Sequence, residues 1–506
     1  MSKFLTAVCV LLASSIALHA EQGKPNIVIV MADDLGYGDV QPLNSRSEIS
    51  TPAFNRLAKE GLTFTDAHSS SGVCTPTRYG LVCGRYAWRT SLKRGVLGGY
   101  SKPLIEPERQ TIASVLKSCG YSTACVGKWH LGLGWVWNES PDNINNFGIA
   151  GKPGSVDYEQ ALTDSPVHHG FDQSYIIPAS LDMSPYVYIK NDRVTKIPGD
   201  SIKGAAFPKF YRTGEIAEDF QIQNVLGHLT EQAVEIIETE SKKDQPYFLY
   251  FPLSAPHKPV YPTEEFLGQS KKGPYGDFIM QVDATIGKII DAIEASGESE
   301  NTLLIVTSDN GSFMNRIRDN SKPDHLTAEK VQGFHESSHL ANGQLRGTKA
   351  DVWEGGHRVP FFVRWKNHAA SEKRISNTIC HVDLLATCAE VAGAEFDRSA
   401  SEDSFSFTKL IENDVANYTR PPVILHSSGG TFAIRDGKWK LVMGSGSGGR
   451  AQPRGKAFER PYFLFDMQND ISETTNLIDQ HQELEQELIR KFEKIAHDDH
   501  LESKPK

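Results

Sequence analysis

The sequence predicts an α/β protein with a large, mainly parallel sheet sandwiched by helices, followed by a smaller C-terminal α+β subdomain with a short antiparallel sheet. From Pro25 onward, apolar β-branched runs alternate with helical patterns, which is typical of parallel sheets. Near the C-terminus the pattern changes to short strands around an Asp-Gly turn. The 506 residues are 39% hydrophobic and 23% charged, which fits a folded chain long enough for two domains.

The first part of the chain supplies the elements of the large sheet in order. The predicted strands are NIVIVM, LTFTDA, STACVG, PYFLYFPL and NTLLIVTSD, and the predicted helices are TPAFNRLAKEG, TIASVLKSCG and longer patterns around 214–240 and 277–296. Residues 129–212 are rich in Gly, Pro and Asn and lack periodicity. We therefore expect long loops there, laid over the sheet where they would shape a cleft.

The last part of the chain predicts the smaller subdomain. A helix is expected at 381–394, and short strands at TFAIRDGKWKLVMG and PYFLFDM follow it. An amphipathic helix near 475–497 ends the subdomain, and GSGSGG at 444–449 is expected to be a flexible loop. The predicted division is a first domain at 21–414 and a C-terminal subdomain at 415–506.

The first twenty residues have the layout of a secretory signal peptide. Lys3 precedes an apolar run from Phe4 to Leu18, and Ala20 supplies a small residue at the end. The run is short for a bilayer, so we expect an exported, periplasmic or secreted protein without stable membrane association; a retained anchor is the alternative. Six cysteines remain after this segment, too few for a disulfide scaffold in so long a chain. The net charge of −10 argues against a nucleic-acid partner.

Polar residues follow four of the predicted strands, where open α/β sheets bind their ligands. These residues are Asp33, Asp34, Lys128, His130, His257, Asp309 and Asn310. Three carboxylates and an amide oxygen at one edge would repel each other without a cation, and oxygen ligands suit a hard ion. The sequence therefore predicts one Ca²⁺ ion, with Mg²⁺ left open. A single acidic residue there could instead cap a helix, but two doublets at equivalent strand ends favour a metal site.

Positive charge and proton-transfer groups accompany the predicted metal ligands. Lys128, His130 and His257 stand at strand ends, and Arg78 and Lys349 add two further cations. Each residue alone could be structural. A metal with two histidines and three cations indicates hydrolysis of an anionic ester, since the charge that develops on the transferred oxygens must be matched.

Cys74 is a candidate nucleophile. Pro76 favours the first turn of a helix, which places Cys74 at the helix N-terminus. A thiolate or another anion is stabilised at such a position.

These residues lie in motifs that resemble the type I sulfatases of the alkaline phosphatase superfamily. The motifs are CTPTR at 74–78, GYSTACVGKWH at 120–130, MADDLGYGD at the first strand end, SDNG at 308–311, APHKP at 255–259 and LRGTKADVWEGGHRVP at 345–360. The resemblance runs nearly end to end. It implies an alkaline phosphatase-like mixed sheet and a sulfuric ester hydrolase, with the catalytic domain at 21–414.

The resemblance also implies roles for individual residues. Cys74 would be converted by a formylglycine-generating enzyme to Cα-formylglycine, whose hydrate is the nucleophile. Asp33, Asp34, Asp309 and Asn310 would bind calcium together with residue 74. Arg78 would hold the hydrate, Lys128 and Lys349 would bind sulfate oxygens, His130 would help to expel sulfate, and His257 would protonate the leaving oxygen. The motif departs from the family's usual ending, because it reads LVCG with Cys83 in place of a threonine; a small buried residue is expected there.

Three other functions are alternatives to a sulfatase. HESSH at 335–339 fits the pattern of a zinc protease, but Gly333 and LANGQ surround it with residues unsuited to the required helix. A phosphate mono- or diester hydrolase of the same superfamily is the enzymatic alternative, although its additional histidine ligands are not seen. A non-catalytic carbohydrate-binding relative is the third, and the retained site residues argue against it.

The expected substrate is a sulfated carbohydrate derived from a polysaccharide. Trp135, Trp137, Tyr186 and Arg212 lie in the predicted cleft loops and are residue types that stack on sugars or pair with their anionic groups, although the aromatic residues could equally be packing residues. His335, His339 and Arg346 lie within or beside site motifs and are further candidate substrate contacts.

Overall fold

A ten-stranded mixed sheet forms the centre of the protein, in a computed structural model that describes residues 23–138, 154–206, 209–314 and 339–497. The predicted signal peptide at 1–20 lies outside these residues. The strands of the large sheet are β1 (Asn26–Asp33), β2 (Leu62–Phe64), β4 (Ser122–Lys128), β5 (Gln173–Ile177), β6 (Ile189–Lys190), β7 (Arg193–Val194), β10 (Tyr247–Pro256), β11 (Thr302–Ser308), β12 (Phe361–Arg364) and β13 (Lys373–Ile375). Two small sheets pair β3 (Ala67–His68) with β14 (Ile379–Cys380) and β8 (Asp200–Ile202) with β9 (Gly214–Ile216).

The large sheet has the order β13-β2-β12-β11-β1-β10-β4-β5-β6-β7. Its five adjacent strands β11, β1, β10, β4 and β5 are all parallel to their neighbours. Antiparallel pairs flank this parallel block on both sides. Strands β1, β10 and β11 are buried along their whole length, which explains their continuous apolar sequences. The predicted mainly parallel mixed sheet is confirmed.

Helices pack around this sheet in two groups. The helices are α1 (Pro52–Glu60), α2 (Cys74–Cys83), α3 (Ile112–Ser118), α4 (Val225–Glu240), α5 (Gly273–Ala295), α6 (Glu354–His357), α7 (Leu384–Ala392), α8 (Thr408–Ile411) and α9 (Gln482–His497). Helix α5 packs against α1, α4 and β10, whereas α2, α3 and α7 pack against one another. None of the helices in the described ranges is long and apolar enough to span a membrane.

A four-stranded antiparallel sheet follows near the C-terminus, as predicted. Its strands, in the order β15-β16-β17-β18, are β15 (Val423–His426), β16 (Phe432–Asp436), β17 (Trp439–Met443) and β18 (Phe463–Asp466). Residues of these strands and of α9 form a second apolar cluster. This cluster is separate from the one around the large sheet, and it also includes Tyr86, Val352, Trp353, Cys380 and Val382 from the preceding part of the chain.

A buried polar network connects the small sheet to the rest of the chain. Lys440 of β17 places its Nζ 2.9 Å from Glu354 Oε1 and 2.8 Å from Glu473 Oε1. His357 lies 3.1 Å from the same ammonium group and 3.0 Å from His68. Since the ammonium already occupies the position between these groups, we assign the cluster to ion pairing rather than to metal binding.

The prediction of long loops at 129–212 is wrong in part. Strand β5 extends the parallel block there, and β6 and β7 complete that side of the sheet. The strands are short, with two to five residues each, so their sequences contain too few residues to show an alternating pattern.

Candidate active site

Four neighbouring parallel strands bring the predicted site residues to one edge of the sheet. β1 ends at Asp33 and is followed by Asp34, and β11 is followed by Asp309 and Asn310. β4 ends at Lys128, and β10 is followed by His257. All of these side chains are buried. The common position follows from the topology, because the carboxyl ends of adjacent parallel strands share one edge.

Three carboxylates of the site are paired with three cations. Lys128 Nζ lies 2.6 Å from Asp33 Oδ2, Lys349 Nζ lies 2.5 Å from Asp34 Oδ1, and Arg78 Nη2 lies 2.7 Å from Asp309 Oδ2. The formal charges of these six groups therefore cancel. Pairing of this kind offsets the desolvation of each buried ion.

Cys74 is the first residue of α2 and points into this charged cluster. Its Sγ lies 3.4 Å from Lys349 Nζ, and it groups with oxygens of Asp33 and Asp34 and a nitrogen of His257, all within 4.8 Å of one another. Burial raises the pKa of the thiol to about 12, outweighing the opposite effects of Lys128 and Lys349. The expected stabilisation of a thiolate at the helix N-terminus is therefore overcome by desolvation, and the unmodified residue is a neutral thiol.

Two buried oxygens make the site suitable for a hard cation. Asp33 Oδ1 and Asn310 Oδ1 find no hydrogen-bond partner among the described residues, although such atoms are normally satisfied. Burial and the neighbouring Asp309 and Asp34 also raise the pKa of Asp33 to about 7, despite Lys128 and Arg78. A divalent ion would satisfy both oxygens and oppose the clustered negative charge. The residues therefore fit the predicted metal.

The two site histidines use their ring nitrogens differently. His257 Nδ1 lies 2.6 Å from the Lys258 carbonyl oxygen, so Nδ1 carries the proton and Nε2, 3.7 Å from Asp34 Oδ2, faces the cluster. In His130 it is Nε2 that donates, over 2.7 Å to the Leu97 carbonyl oxygen, and the buried Nδ1 finds no partner among the described residues. Burial and nearby cations, including Lys128, hold the pKa of both imidazoles well below the usual value. Both rings are therefore neutral before substrate binds.

Three residues at this edge of the sheet have a strained backbone. Asp34, His130 and Ala350 have φ values of 68°, 58° and 83°, in the left-handed region that residues with a Cβ rarely adopt. Each is a site residue or the neighbour of one. Strained positions of this kind persist only where the surrounding contacts enforce them.

The C-terminal sheet supplies some of these contacts. At the end of β15, the His426 carbonyl oxygen accepts hydrogen bonds from Gly72 N (2.9 Å) and Ser71 Oγ (2.9 Å), just before Cys74. Ser428 N donates over 2.9 Å to the carbonyl oxygen of Ala350, the neighbour of Lys349. One strand end therefore braces both the segment that carries Cys74 and the segment that carries Lys349.

The glycine-rich segment 444–449 is packed, so the prediction of a flexible loop is wrong. Ser447 is fully buried and its carbonyl oxygen accepts from Val352 N over 2.9 Å. A Cβ built on Gly449 would lie well inside contact distance of the Ala350 carbonyl oxygen and Asp351 Oδ1. The glycines are there because two backbones approach closely, a use that composition does not distinguish from flexibility.

A Gly449→Ala variant is expected to lose about 1–3 kcal/mol of unfolding free energy and to raise KM, because the methyl group displaces the backbone beside Lys349. Denaturant unfolding and steady-state kinetics measure the two effects. Gly227→Ala is the matched control, since its Cβ meets nothing within 4 Å inside α4. Stability and KM equal to those of the wild type in Gly449→Ala would contradict the role assigned to this loop.

Most of the predicted substrate-contact residues are buried or bound to other protein groups in the structure. His339 is buried with its Nε2 2.8 Å from Asp39 Oδ1, and Arg346 stacks on Trp353 and donates to the Glu473 carbonyl oxygen. Trp135 and Tyr186 are 7% and 1% exposed and donate to backbone carbonyl oxygens, as packing residues do. Arg212 is partly exposed and pairs with Asp182. His335 lies outside the described residues.

The sequence analysis did not identify Lys258, which follows His257, or Asp182, which pairs with Lys258. Lys258 Nζ lies 3.4 Å from Asp182 Oδ2, and Asp182 is fully buried. Lys258 belongs to the APHKP motif, and its position next to His257 was the available signal. Asp182 follows β5, which the sequence did not reveal as a strand.

Comparisons with a family model, with related sequences and with a solved structure agree with one another. The family model described as Sulfatase matches residues 25–394. The chain is 31% identical to an N-acetylgalactosamine-6-O-sulfatase of Bacteroides thetaiotaomicron, over 93% of each chain. It is 30% identical to human arylsulfatase A over 90% of this chain and 83% of that one. A solved structure from work on glycosaminoglycan metabolism by Bacteroides thetaiotaomicron superposes with a TM-score of 0.79 at 28% identity, over 94% of this chain and 99% of the other.

Proposed function

The chain belongs to the sulfatase family of sulfuric ester hydrolases, and we propose that it removes sulfate from a sulfated carbohydrate through an oxidised form of Cys74. The observation that carries the mechanism is the position of Cys74 Sγ, grouped with Asp33, Asp34 and His257 and 3.4 Å from Lys349 Nζ. The carbohydrate is supported by the N-acetylgalactosamine-6-O-sulfatase, which the chain matches along almost its whole length.

The charges of the site favour an anionic ester once a metal is bound. Three carboxylates balance three cations in the protein alone. One divalent ion, which we propose is calcium held by Asp33, Asp34, Asp309, Asn310 and residue 74, adds two positive charges. The resulting positive field in a buried site attracts the sulfate group and opposes the charge that develops on its oxygens.

Two groups beyond the encoded side chains supply the central chemistry. The metal, when bound, would withdraw charge from oxygens beside it. One hydroxyl of the hydrated aldehyde at residue 74 would attack sulfur as the sulfur–oxygen bond to the sugar breaks, and deprotonation of the second would re-form the aldehyde as the carbon–oxygen bond to sulfate breaks. A formylglycine-generating enzyme is the maturation partner that this requires. The neutral thiol of unmodified Cys74 would be a weak nucleophile, consistent with a need for modification.

The side chains then bind the ester and move protons. Arg78 orients the site through Asp309 and the Lys128 carbonyl oxygen, and Lys128 and Lys349 bind sulfate oxygens. His257 Nε2 must gain a proton to act on the leaving oxygen, and the negative charge of a bound ester raises its depressed pKa toward that state. His130 Nδ1 is the unprotonated nitrogen suited to accept a proton from the second hydroxyl.

Export belongs to the same proposal. Residues 1–20 have the pattern of a signal peptide, which would deliver the catalytic domain at 21–414 and the subdomain at 415–506 to the periplasm or the medium.

We expect the matured protein to release sulfate from at least one member of a panel of defined sulfated mono- and oligosaccharides. The measurement is ion chromatography of sulfate after co-expression with a formylglycine-generating enzyme. Phosphate esters of the same sugars are the matched control and should react far more slowly. Faster release of phosphate than of sulfate, or release of sulfate from simple aryl esters but from no sugar, would contradict the proposed substrate.

A further inference from the structure

Lys258 places a further positive charge next to the proposed general acid, in addition to Lys349 and Lys128. Its carbonyl oxygen contacts His257 Nδ1 at 2.6 Å, which leaves His257 Nε2 facing the metal cluster. If His257 protonates the leaving oxygen, the residue that follows it stands on the side of the site where the desulfated sugar departs. The Lys258 ammonium group is paired with a different carboxylate, because its Nζ lies 3.4 Å from Asp182 Oδ2.

Lys258, Arg212 and Asp182 form a cluster with more positive than negative charge. Asp182 Oδ2 pairs with Arg212 and lies 3.4 Å from Lys258 Nζ, so two cations share one carboxylate. The phenyl ring of Phe210 lies against both, with Lys258 Nζ 4.6 Å and the Arg212 guanidinium carbon 5.3 Å from its centroid. Three loops meet here, so the cluster depends on tertiary structure rather than on one helix or turn.

The two cations are accessible, whereas the carboxylate is not. The side chains of Lys258 and Arg212 are 17% and 30% exposed, and that of Asp182 is 0% exposed. A ligand that approaches from solvent therefore meets an ammonium and a guanidinium group held by a buried carboxylate. Ion pairs arranged in this way present donors to an anion, as they do where proteins bind carboxylates and sulfates.

Electrostatic effects on the neighbouring groups agree with this arrangement. The pKa of Lys258 is lowered, first by burial and then by Lys349, Arg450 and Arg212, against the opposite effect of Asp182. Lys258 in turn contributes to the low pKa of His257. An anion bound at Lys258 would offset the repulsion among these cations.

On the basis of the proposed sulfatase function, we propose that Lys258, Arg212 and Asp182 form a subsite for a second anionic group on the leaving sugar. The group is a carboxylate or a second sulfate ester on the ring adjacent to the one that carries the scissile sulfate. The substrate class is thus a polyanionic saccharide rather than a neutral sugar with a single sulfate. Phe210 supplies the apolar wall of the subsite.

Three disaccharides with the same scissile sulfate test this subsite. In the first the adjacent sugar is neutral, in the second it is a uronic acid, and in the third it carries a second sulfate. We expect the wild type to have a kcat/KM at least about tenfold higher for one or both anionic disaccharides, the effect of one charge-assisted contact. The two anionic disaccharides distinguish a carboxylate subsite from a sulfate subsite.

Lys258→Met removes the charge and keeps most of the side-chain length over Phe210. We expect it to reduce the preference for the anionic disaccharide by about tenfold, because the charge-assisted contact is lost. The matched control Lys196→Met, at an exposed lysine paired with Glu218, should keep the wild-type preference. Equal losses on neutral and anionic disaccharides in Lys258→Met, or no preference in the wild type, would overturn the subsite.

Binding measurements separate this proposal from the proposed function. Calorimetric titration of a Cys74→Ala protein with the three disaccharides needs no turnover. Tighter binding of the anionic disaccharide that depends on Lys258 supports the subsite even if sulfate release fails. Equal affinities for all three disaccharides would overturn the subsite and leave sulfate release to be judged by its own assay.

Discussion

Replacing Cys74 with alanine is expected to reduce sulfate release by at least about a thousandfold, because removal of a nucleophile leaves only binding and electrostatic contributions. Cys74 Sγ supplies the thiol of the cluster in which Asp33, Asp34 and His257 meet. The measurement is kcat for sulfate release by matured wild-type and variant proteins at equal folded concentration.

Cys83→Ala is the matched control for this variant. Cys83 ends the same helix and is equally buried, and among the described residues it has no part in the charged cluster. A small loss of stability with retained turnover is expected, since the change removes one buried sulfur. Turnover in Cys74→Ala close to that of Cys83→Ala would contradict the assignment of the nucleophile.

Removal of the metal is expected to abolish sulfate release and to destabilise the protein. A ligand present at a hundred times its Kd stabilises the folded state by about 2.7 kcal/mol, so chelation should lower Tm measurably. The pKa of Asp33, raised to about 7 in the metal-free site, fixes the sign of the pH dependence of calcium binding. Asp33 keeps a proton in the folded metal-free state up to about pH 7, and calcium must displace that proton at lower pH. Stabilisation by calcium should therefore be larger at pH 8 than at pH 5.

Asn310→Ala tests the metal site without a change of charge. Asn310 Oδ1 has no hydrogen-bond partner among the described residues, so its removal should raise the calcium concentration for half-maximal activity by about tenfold or more. Asn26→Ala, a buried asparagine at the opposite end of β1, is the matched control and should leave that concentration unchanged. Full activity after exhaustive chelation, or equal calcium dependence in both variants, would contradict the metal site.

The strands and the residues at their ends were predictable from the sequence. Continuous apolar runs identify β1, β10 and β11, and the strand-end rule brings Asp33, Asp309 and His257 together although more than 200 residues separate the first from the others. The sulfate-binding role of Lys349, which lies in a turn and follows no strand, was supplied by the resemblance. Physical reasoning reached the proposed metal ligands because the end of a strand fixes the position of the residue that follows it.

Contacts between loops were not predictable in this way. His426 braces the segment before Cys74 from more than 350 residues away, and no local pattern encodes that pairing. The sequence around Gly449 resembles a flexible linker, and only the structure shows that the Ala350 backbone packs closely against this glycine. The pKa of Cys74 was not predictable for the same reason. The sequence shows that Cys74 begins a helix, which would lower the pKa of its thiol, but it does not show the burial that raises this pKa.

The mass of the peptide that contains residue 74, taken from protein with measured sulfatase activity, tests the central claim most directly. The account predicts that active preparations carry an aldehyde at residue 74 and that the modified fraction increases in proportion to kcat. Fully active protein in which residue 74 is an unmodified cysteine would contradict it.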